Sequence, residues 1–265
     1  MNIQQYINQI KAEKPINFSC FISLLPKSYS EQKCEIFALT LQAPQKWLVS
    51  CSADVLVELE LLAQQPSNRL QATEMGDSHR SAVSSGFLLV YHQALTDQRP
   101  DVVYLEQDAF LQDFQVKKHL LIVENEENFF LPKSMLKLAT EFTNQQLDLT
   151  NTDVVLGSGA RATSKLARIW YSQYSHILCA FDYDTAGLKM YRTLKTNLGK
   201  HVQFLQPQSY SQYESYFKMK PKSQSQLLDF IRLAEQLSFI ELAEIVREKK
   251  KFMEQEMLLI GEKYE

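Results

Sequence analysis

Three acidic residues follow two apolar runs in the second half of the chain. Glu124 ends the run 118–125, and Asp182 and Asp184 end the run 176–184. Both runs have the composition of buried strands, and adjacent strands of a parallel sheet bring their carboxyl ends to one edge, where ligands bind. Clustered carboxylates repel one another unless a cation neutralises them, and hard oxygen ligands suit Mg²⁺ or Mn²⁺. The pattern therefore predicts a divalent-metal site suited to phosphoryl chemistry.

Small and basic residues accompany the acidic ones. The run 152–159 ends in Gly-Ser-Gly, a turn in which backbone amides can approach a phosphate at the start of the next helix. Three basic side chains then recur at spacings that would place them on one face of a helix over 160–174. Each feature alone is typical of an ordinary turn or a solvated face, but their order, one per strand–helix unit, favours a functional site. The residues predicted to contact nucleic-acid phosphates are Gly157, Ser158, Gly159, Arg161, Lys165 and Arg168.

Composition limits the class of protein. The chain has 265 residues, of which 45% are hydrophobic and 22% charged, as expected of an ordered globular protein. The net charge of −3 gives no sign of a nucleic-acid partner, although residues 157–200 hold seven basic side chains against two acidic ones. The four cysteines form no C-x-x-C pair, which argues against a zinc site or a disulfide framework. No apolar run could cross a bilayer and no signal-peptide core is present, so we expect a cytoplasmic protein.

Alternating strand and helix patterns in the second half predict an α/β fold with a mainly parallel, four-stranded sheet and flanking helices. A catalytic domain is expected over residues 115–207. Its strands are predicted at 118–125, 152–159, 176–184 and 201–207.

The flanking regions are predicted separately. Residues 1–110 are expected to form a smaller α+β module, a candidate arm for binding DNA or a partner. Residues 208–265 are expected to be helical, with a charged helix through 247–260, and to pack on the catalytic domain. The elements predicted in the first region are a helix over 1–14, strands at 18–25, 35–41 and 46–51, a helix at 53–64 and a helix through Phe87, Leu88 and Tyr91.

The ordered set of motifs resembles the Toprim fold, whose signature is a strand-end Glu, a small-residue turn and then an Asp-x-Asp strand. The finer resemblance is to the A subunit of topoisomerase VI and the Spo-eleven group. It is greatest to the nuclease subunit of the Wadjet and MksBEFG anti-plasmid systems, JetD or MksG. The stretches that carry it are ENEENF (124–129), FDYDTAGLKMY (181–191), MEQEMLL (253–259) and GDSH (76–79), so that the resemblance covers residues 69–265.

The resemblance implies a metal-dependent endonuclease that cleaves double-stranded DNA as a homodimer and is recruited by an SMC-type ATPase and kleisin complex. It implies that Glu124, Asp182 and Asp184 bind Mg²⁺ or Mn²⁺. It also implies that Glu254 or Glu256 completes the acidic site. Asp77 and His79 belong to the GDSH stretch, where they could equally be turn and core residues.

Three other functions stay open at the level of sequence. A topoisomerase-like protein would need a tyrosine nucleophile, and Tyr91 and Tyr104 lie upstream of the acidic motifs, but without the Arg-containing double-tyrosine context of that group. A Toprim protein could instead act on RNA or make primers, although no zinc-ribbon cysteines are present. A non-catalytic DNA-binding subunit would keep the carboxylates for a structural cation. The intact set of three acids argues against this last alternative, and the missing tyrosine context favours hydrolysis by a metal-activated water.

Overall fold

The structure is a computed structural model that describes residues 1–63, 85–95, 99–107 and 109–259. The chain divides into two compact units, residues 1–84 and 85–265. The boundary predicted at residue 110 therefore moves to 84/85, because the strands between 85 and 111 pair with the sheet of the second unit. The GDSH stretch, with Asp77 and His79, lies outside the described residues.

The first unit combines short helices with a two-stranded antiparallel sheet. The predicted strand at 18–25 is wrong: Asn17 caps a helix there by accepting a hydrogen bond from the Cys20 N–H, and Phe18 and Phe21 lie on its buried face. The predicted strand at 46–51 and helix at 53–64 are confirmed. The elements are α1 (Ile3–Lys11), α2 (Phe18–Ile22), α3 (Lys27–Glu31), α4 (Lys33–Ile36), β1 (Ala38–Ala43), β2 (Lys46–Ser50) and α5 (Ala53–Ala63).

The second unit contains a mixed sheet, so that an α/β fold is confirmed. Within the described residues the strand order is β5-β4-β3-β7-β6-β8-β9, and β7, β6, β8 and β9 are parallel, as predicted for these four strands. The strands are β3 (Ser85–Tyr91), β4 (Asp101–Glu106), β5 (Phe110–Leu111), β6 (His119–Val123), β7 (Thr152–Leu156), β8 (His176–Ala180) and β9 (Val202–Phe204).

The antiparallel strands β3–β5 widen the sheet beyond the predicted four strands. The helix predicted through Phe87, Leu88 and Tyr91 is wrong, because this segment is β3. Leu88 and Val90 are fully buried on one face of the strand, whereas Phe87 on the other face is exposed. This period of two is the pattern of a strand, and β3 pairs with both β4 and β7.

Helices connect the parallel strands and follow the last one. They are α6 (Glu126–Phe129), α7 (Pro132–Thr143), α8 (Lys165–Tyr171), α9 (Thr185–Leu198), α10 (Gln224–Gln236) and α11 (Ile240–Lys249), with 3-10 helices at Gly159–Arg161, Glu214–Tyr216 and Gln255–Leu259. The charged helix predicted through 247–260 ends at Lys249, because Lys250 adopts a left-handed conformation with φ 55°. No described helix combines the length and the apolar character needed to span a membrane.

The order of the parallel strands creates a crevice between β6 and β8. The chain passes from β6 to β7 on one side, and then returns across β6 to β8 on the other side. Because such crossovers are right-handed, the connections on the two sides of β6 cover opposite faces of the sheet. Their divergence leaves a crevice beyond the carboxyl ends of β6 and β8, which is where open α/β sheets bind ligands.

Candidate active site

Glu124 is placed by the end of β6. The strand is fully buried from Leu120 to Val123, and the Glu124 N–H continues the sheet by donating to the Ala180 carbonyl at 3.0 Å. The side chain then turns across to the neighbouring strand, where its Oε2 accepts a hydrogen bond from the Asp182 N–H at 3.1 Å. The end of β6 is thereby joined to the end of β8 through a carboxylate.

Asp182 lies two residues past the end of β8, in a segment fixed by the far C-terminus. Its Oδ1 accepts a hydrogen bond from the Gln255 N–H at 2.8 Å. The next residue, Tyr183, is fully buried; its N–H donates to the Met253 carbonyl at 3.0 Å and its hydroxyl to the Leu205 carbonyl at 2.8 Å. A regular strand does not extend to residue 184, but the buried Tyr183 still separates two aspartates that are only partly buried.

Asp184 begins α9. As the N-cap residue, its Oδ1 accepts a hydrogen bond from the Gly187 N–H at 2.8 Å. A Cβ atom at position 187 would lie 2.1 Å from the Asp182 carbonyl oxygen, so only glycine permits this approach of the helix to the preceding turn. Gly187 therefore allows the start of α9, which Asp184 caps, to pack closely on the backbone of Asp182.

Of the two C-terminal glutamates, the structure brings Glu256 to the site and leaves Glu254 exposed. Asn125 donates its side-chain N–H to Glu256 Oε1, while its own Oδ1 accepts from the Glu127 N–H at 2.8 Å and caps α6. The second oxygen of Glu256 is buried and has no hydrogen-bond partner among the residues that the structure describes. Four carboxylates thus meet at the crevice.

Burial and repulsion from neighbouring carboxylates disfavour the charged forms of Asp182 and Glu124. The pKa of Asp182 is raised from 3.8 to about 7, chiefly by burial; the charges of the other three carboxylates contribute in the same direction, and the hydrogen bond from the Gln255 N–H opposes them. Burial also raises the pKa of Glu124, with smaller contributions from the charges of Asp184 and Glu256 and an opposing bond from the Asp182 N–H. Both acids are therefore harder to ionise than ordinary surface carboxylates unless a positive charge is supplied.

The donor chemistry of the cluster fits a hard divalent cation. Glu124, Asp182 and Asp184 each use one oxygen for a backbone N–H, and their other oxygens take no part in these bonds. The buried second oxygen of Glu256 leaves one polar atom of the cluster that no described protein group satisfies. In their present positions, no three His, Cys, Asp or Glu side chains of the described residues are arranged to hold a metal ion together. A metal would require these carboxylates to turn toward it.

In the predicted phosphate-binding turn, close packing and backbone conformation account for the two glycines. A Cβ atom on Gly157 would lie 2.3 Å from Ile122 Cγ2, and the Gly157 N–H donates to the Val123 carbonyl at 2.7 Å. Gly159 has φ 52°, a left-handed conformation that favours glycine. Ser158 is exposed beside it. The turn follows β7, the strand next to β6, and is followed by a 3-10 helix.

The predicted basic helix face is wrong as a single face. Ser164 caps a new helix at Lys165, so Arg161 lies in the preceding 3-10 turn and does not share a helix with Lys165 and Arg168. The Arg161 guanidinium lies 4.5 Å from the centre of the Phe87 ring, and Arg168 Nε donates to the Ser164 carbonyl at 3.4 Å. Arg161 and Lys165 remain exposed.

The roles of Asn125 and Gln255 were not predicted from the sequence. An Asn before two acidic residues is a recognisable helix cap, so the local sequence does indicate that Asn125 caps α6. Its contact with Glu256 spans 131 positions and has no such signal. The bond from the Gln255 backbone to Asp182 likewise depends on the path of the chain and not on the type of residue 255.

Comparison with known proteins adds no assignment: no protein-family model matches the chain, and no curated protein matches it significantly.

Proposed function

We propose that this chain is a divalent-metal-dependent nuclease that hydrolyses phosphodiester bonds in double-stranded DNA. The observation that carries the proposal is the convergence of four carboxylates at the crevice between β6 and β8, namely Glu124, Asp182, Asp184 and Glu256. Glu124 and Asp182, whose pKa values are raised by burial, would gain stability from a bound cation, and an all-oxygen site suits Mg²⁺ or Mn²⁺.

The protein's own contribution is to hold and orient these oxygens. When bound, a divalent ion supplies charge at the scissile phosphate and lowers the pKa of a water molecule. Asp184 is fixed to the start of α9, and Asp182 to the Gln255 backbone. The Glu124 carboxylate is also held through one oxygen, so the other oxygen of each of these three carboxylates is the one that would bind the ion.

The order of the features supports a Toprim-type assignment. A Glu ends the first parallel strand, small residues follow the second, and Asp-x-Asp follows the third. Within that fold we propose the role of the JetD or MksG nuclease subunit, acting as a homodimer on plasmid DNA with an SMC-type ATPase and kleisin complex. A two-fold dimer offers one site for each DNA strand. We expect the neighbouring genes to encode an SMC-like ATPase, a kleisin and a small winged-helix protein; a gene standing alone would count against this role.

The positions of the candidate tyrosines favour hydrolysis over a tyrosine nucleophile. Tyr91 is 5% exposed and packs on Phe129 in the core, where burial raises the pKa of its hydroxyl. Tyr104 is exposed on β4, which is separated from β6 by β3 and β7. Tyr183, between the aspartates, is fully buried with its hydroxyl bonded to the Leu205 carbonyl.

The proposal is tested by cleavage of supercoiled plasmid with Mg²⁺ or Mn²⁺. We expect nicked and linear products from the wild-type protein, and none in EDTA or from Asp182→Asn. Glu256→Gln should be similarly impaired, whereas the matched change Glu254→Gln, two residues away on an exposed side chain, should cleave normally. Cleavage that persists in Asp182→Asn or in EDTA would remove the assignment of this site.

A further inference from the structure

Two lysine-rich segments outside the parallel sheet meet beside the acidic site. They are 218–222 (KMKPK) and 249–254 (KKKFME). An isolated antiparallel pairing joins them: the Met219 N–H donates to the Phe252 carbonyl at 3.1 Å, and the Phe252 N–H to the Met219 carbonyl at 2.8 Å. Segments about 30 residues apart in sequence thereby become neighbours. We call the surface formed by 218–222 and 249–251 the lysine surface.

The lysine surface carries concentrated positive charge. Together 218–222 and 249–254 contain six lysines and one glutamate, a local charge of +5 in a chain of net charge −3. Phe252 is buried, whereas Lys218 and Lys220, on either side of Met219, are exposed. In an antiparallel pairing the residue after Met219 lies opposite the residue before Phe252, so Lys220 and Lys251 are neighbours. Lys218, Lys249 and Lys251 also line one pocket.

Most of this charge is not neutralised within the protein. Lys249 is paired with Glu214 at 2.7 Å and with Glu248 at 3.3 Å. The other five ammonium groups make no ion pair with a described carboxylate; they belong to Lys218, Lys220, Lys222, Lys250 and Lys251. Uncompensated like charges in one place repel one another, and a polyanion offsets that repulsion.

The lysine surface is connected directly to the acidic site. One residue beyond Phe252, the Met253 carbonyl accepts the Tyr183 N–H, and two residues further on the Gln255 N–H binds Asp182. The span from Lys251 to Gln255 is four residues, or about 14 Å when fully extended. Phosphates of one strand of duplex DNA are spaced by about 3.4 Å along the helix axis. A phosphate bound at the lysine surface is therefore within a few nucleotides of one at the carboxylates.

We propose that the lysine surface binds the phosphate backbone of the double-stranded DNA whose scissile bond enters the acidic site. The inference rests on the proposed function, which it deepens by assigning the surface that holds the substrate. It shifts the main DNA contact from the region around Arg161 and Lys165 to the C-terminal part of the chain. Arg161 is already engaged with Phe87, whereas Lys220 and Lys251 lie over no aromatic ring of the described residues.

The experiment measures duplex binding at several salt concentrations in the Asp182→Asn background, so that cleavage does not interfere. Lys220→Gln/Lys251→Gln is compared with Lys118→Gln/Lys200→Gln, which removes the same charge from exposed lysines at the opposite ends of the parallel strands. Fluorescence anisotropy with a labelled duplex gives the affinity and its salt dependence. Removing one lysine that pairs with a phosphate makes the slope of log K against log salt shallower by about 0.9.

We expect Lys220→Gln/Lys251→Gln to weaken binding at least tenfold and to make the slope shallower by about 2, with little change in the control. Equal affinities and slopes for the two variants would overturn the inference. Plasmid cleavage by the wild-type protein separates this result from the proposed function. If the wild-type protein cleaves plasmid but the lysine variant binds duplex as well as its control, only the assignment of the lysine surface fails. If binding depends on the lysines but the wild-type protein does not cleave, only the proposed nuclease activity fails.

Discussion

Asn125 donates a hydrogen bond to Glu256, which lies 131 positions further along the chain. Through its other side-chain atom, Asn125 also caps α6. One residue therefore fixes the turn that follows Glu124 and holds a carboxylate delivered by the C-terminal segment. The acidic site is completed by an element outside the four parallel strands.

The first prediction concerns the role of Asn125 in positioning Glu256. Asn125→Ser keeps an oxygen that can cap α6 but removes the N–H donor to Glu256. We expect Mn²⁺ to bind roughly tenfold more weakly, as is usual when a residue that orients a ligand is removed, and we expect the melting temperature to change little. Titration of Mn²⁺ followed by electron paramagnetic resonance measures the affinity.

A double-mutant comparison separates positioning from a general structural effect. If Asn125 acts through Glu256, then Asn125→Ser/Glu256→Gln should bind Mn²⁺ no more weakly than Glu256→Gln alone. Independent, additive losses would show that Asn125 acts by another route. Unchanged Mn²⁺ affinity in Asn125→Ser would show that its bond to Glu256 has no role in metal binding.

The second prediction concerns the tyrosine alternative. Tyr91→Phe and Tyr104→Phe should both retain plasmid cleavage, since Tyr91 is buried against Phe129 in the core and Tyr104 lies on β4, which β3 and β7 separate from β6. Denaturation of a reaction stopped at an early time should release DNA free of protein. A covalent protein–DNA adduct that disappears in either variant would instead identify that tyrosine as the nucleophile.

The meeting of Glu124 with the aspartates could be predicted because parallel strands impose it. Apolar runs that end in carboxylates, separated by helix-length segments, leave few alternatives for where those ends lie. Local ambiguity limited other regions. The run 18–25 is apolar enough to form a strand, but Asn17 caps its first residues and they form a helix instead. At β3 the alternation of buried and exposed residues is visible only once the neighbouring strands are known.

Contacts distant in sequence could not be predicted. The runs KMKPK and KKK are visible as charged segments, but only the pairing of Met219 with Phe252 makes them one surface. The choice between Glu254 and Glu256 likewise depends on the path of the chain. That path follows from the left-handed turn at Lys250, which ends α11 and sends 251–254 back toward Tyr183.

The third prediction concerns the glycine that packs α9 on the Asp-x-Asp turn. In Gly187→Ala the added methyl would meet the Asp182 carbonyl at 2.1 Å, so the start of the helix or the turn has to move. We expect destabilisation of about 1–3 kcal/mol and loss of cleavage, because both aspartates shift. Gly86→Ala is the matched control, since its methyl would lie 3.8 Å from the nearest atom, Leu166 Cδ1. Chemical denaturation and plasmid cleavage report the two effects; equal stability of the two variants would contradict the packing argument.

The last prediction concerns the pH dependence of stability in the metal-free protein. The pKa of Asp182 is raised in the folded protein from 3.8 to about 7, chiefly by burial. A carboxyl group with a higher pKa in the folded state binds its proton more tightly there, so its contribution to stability is fully present below pH 4 and is lost as the pH rises to about 7. Within this window, each rise of one pH unit lowers the free energy of unfolding by at most about 1.4 kcal/mol for this group. Glu124, whose pKa is also raised by burial, adds to the same trend.

We therefore expect the melting temperature in EDTA to fall from pH 5 to pH 8 more steeply for the wild-type protein than for Asp182→Asn, whose side chain cannot ionise. Under the proposed function Mg²⁺ would bind the ionised carboxylates, so we expect it to raise the melting temperature at pH 8 and to have little effect at pH 5. Differential scanning fluorimetry at these pH values, with EDTA or Mg²⁺, measures both effects. Equal slopes in EDTA for the two proteins would show that Asp182 ionises normally. A Mg²⁺ effect that is the same in Asp182→Asn would place the bound cation elsewhere in the chain.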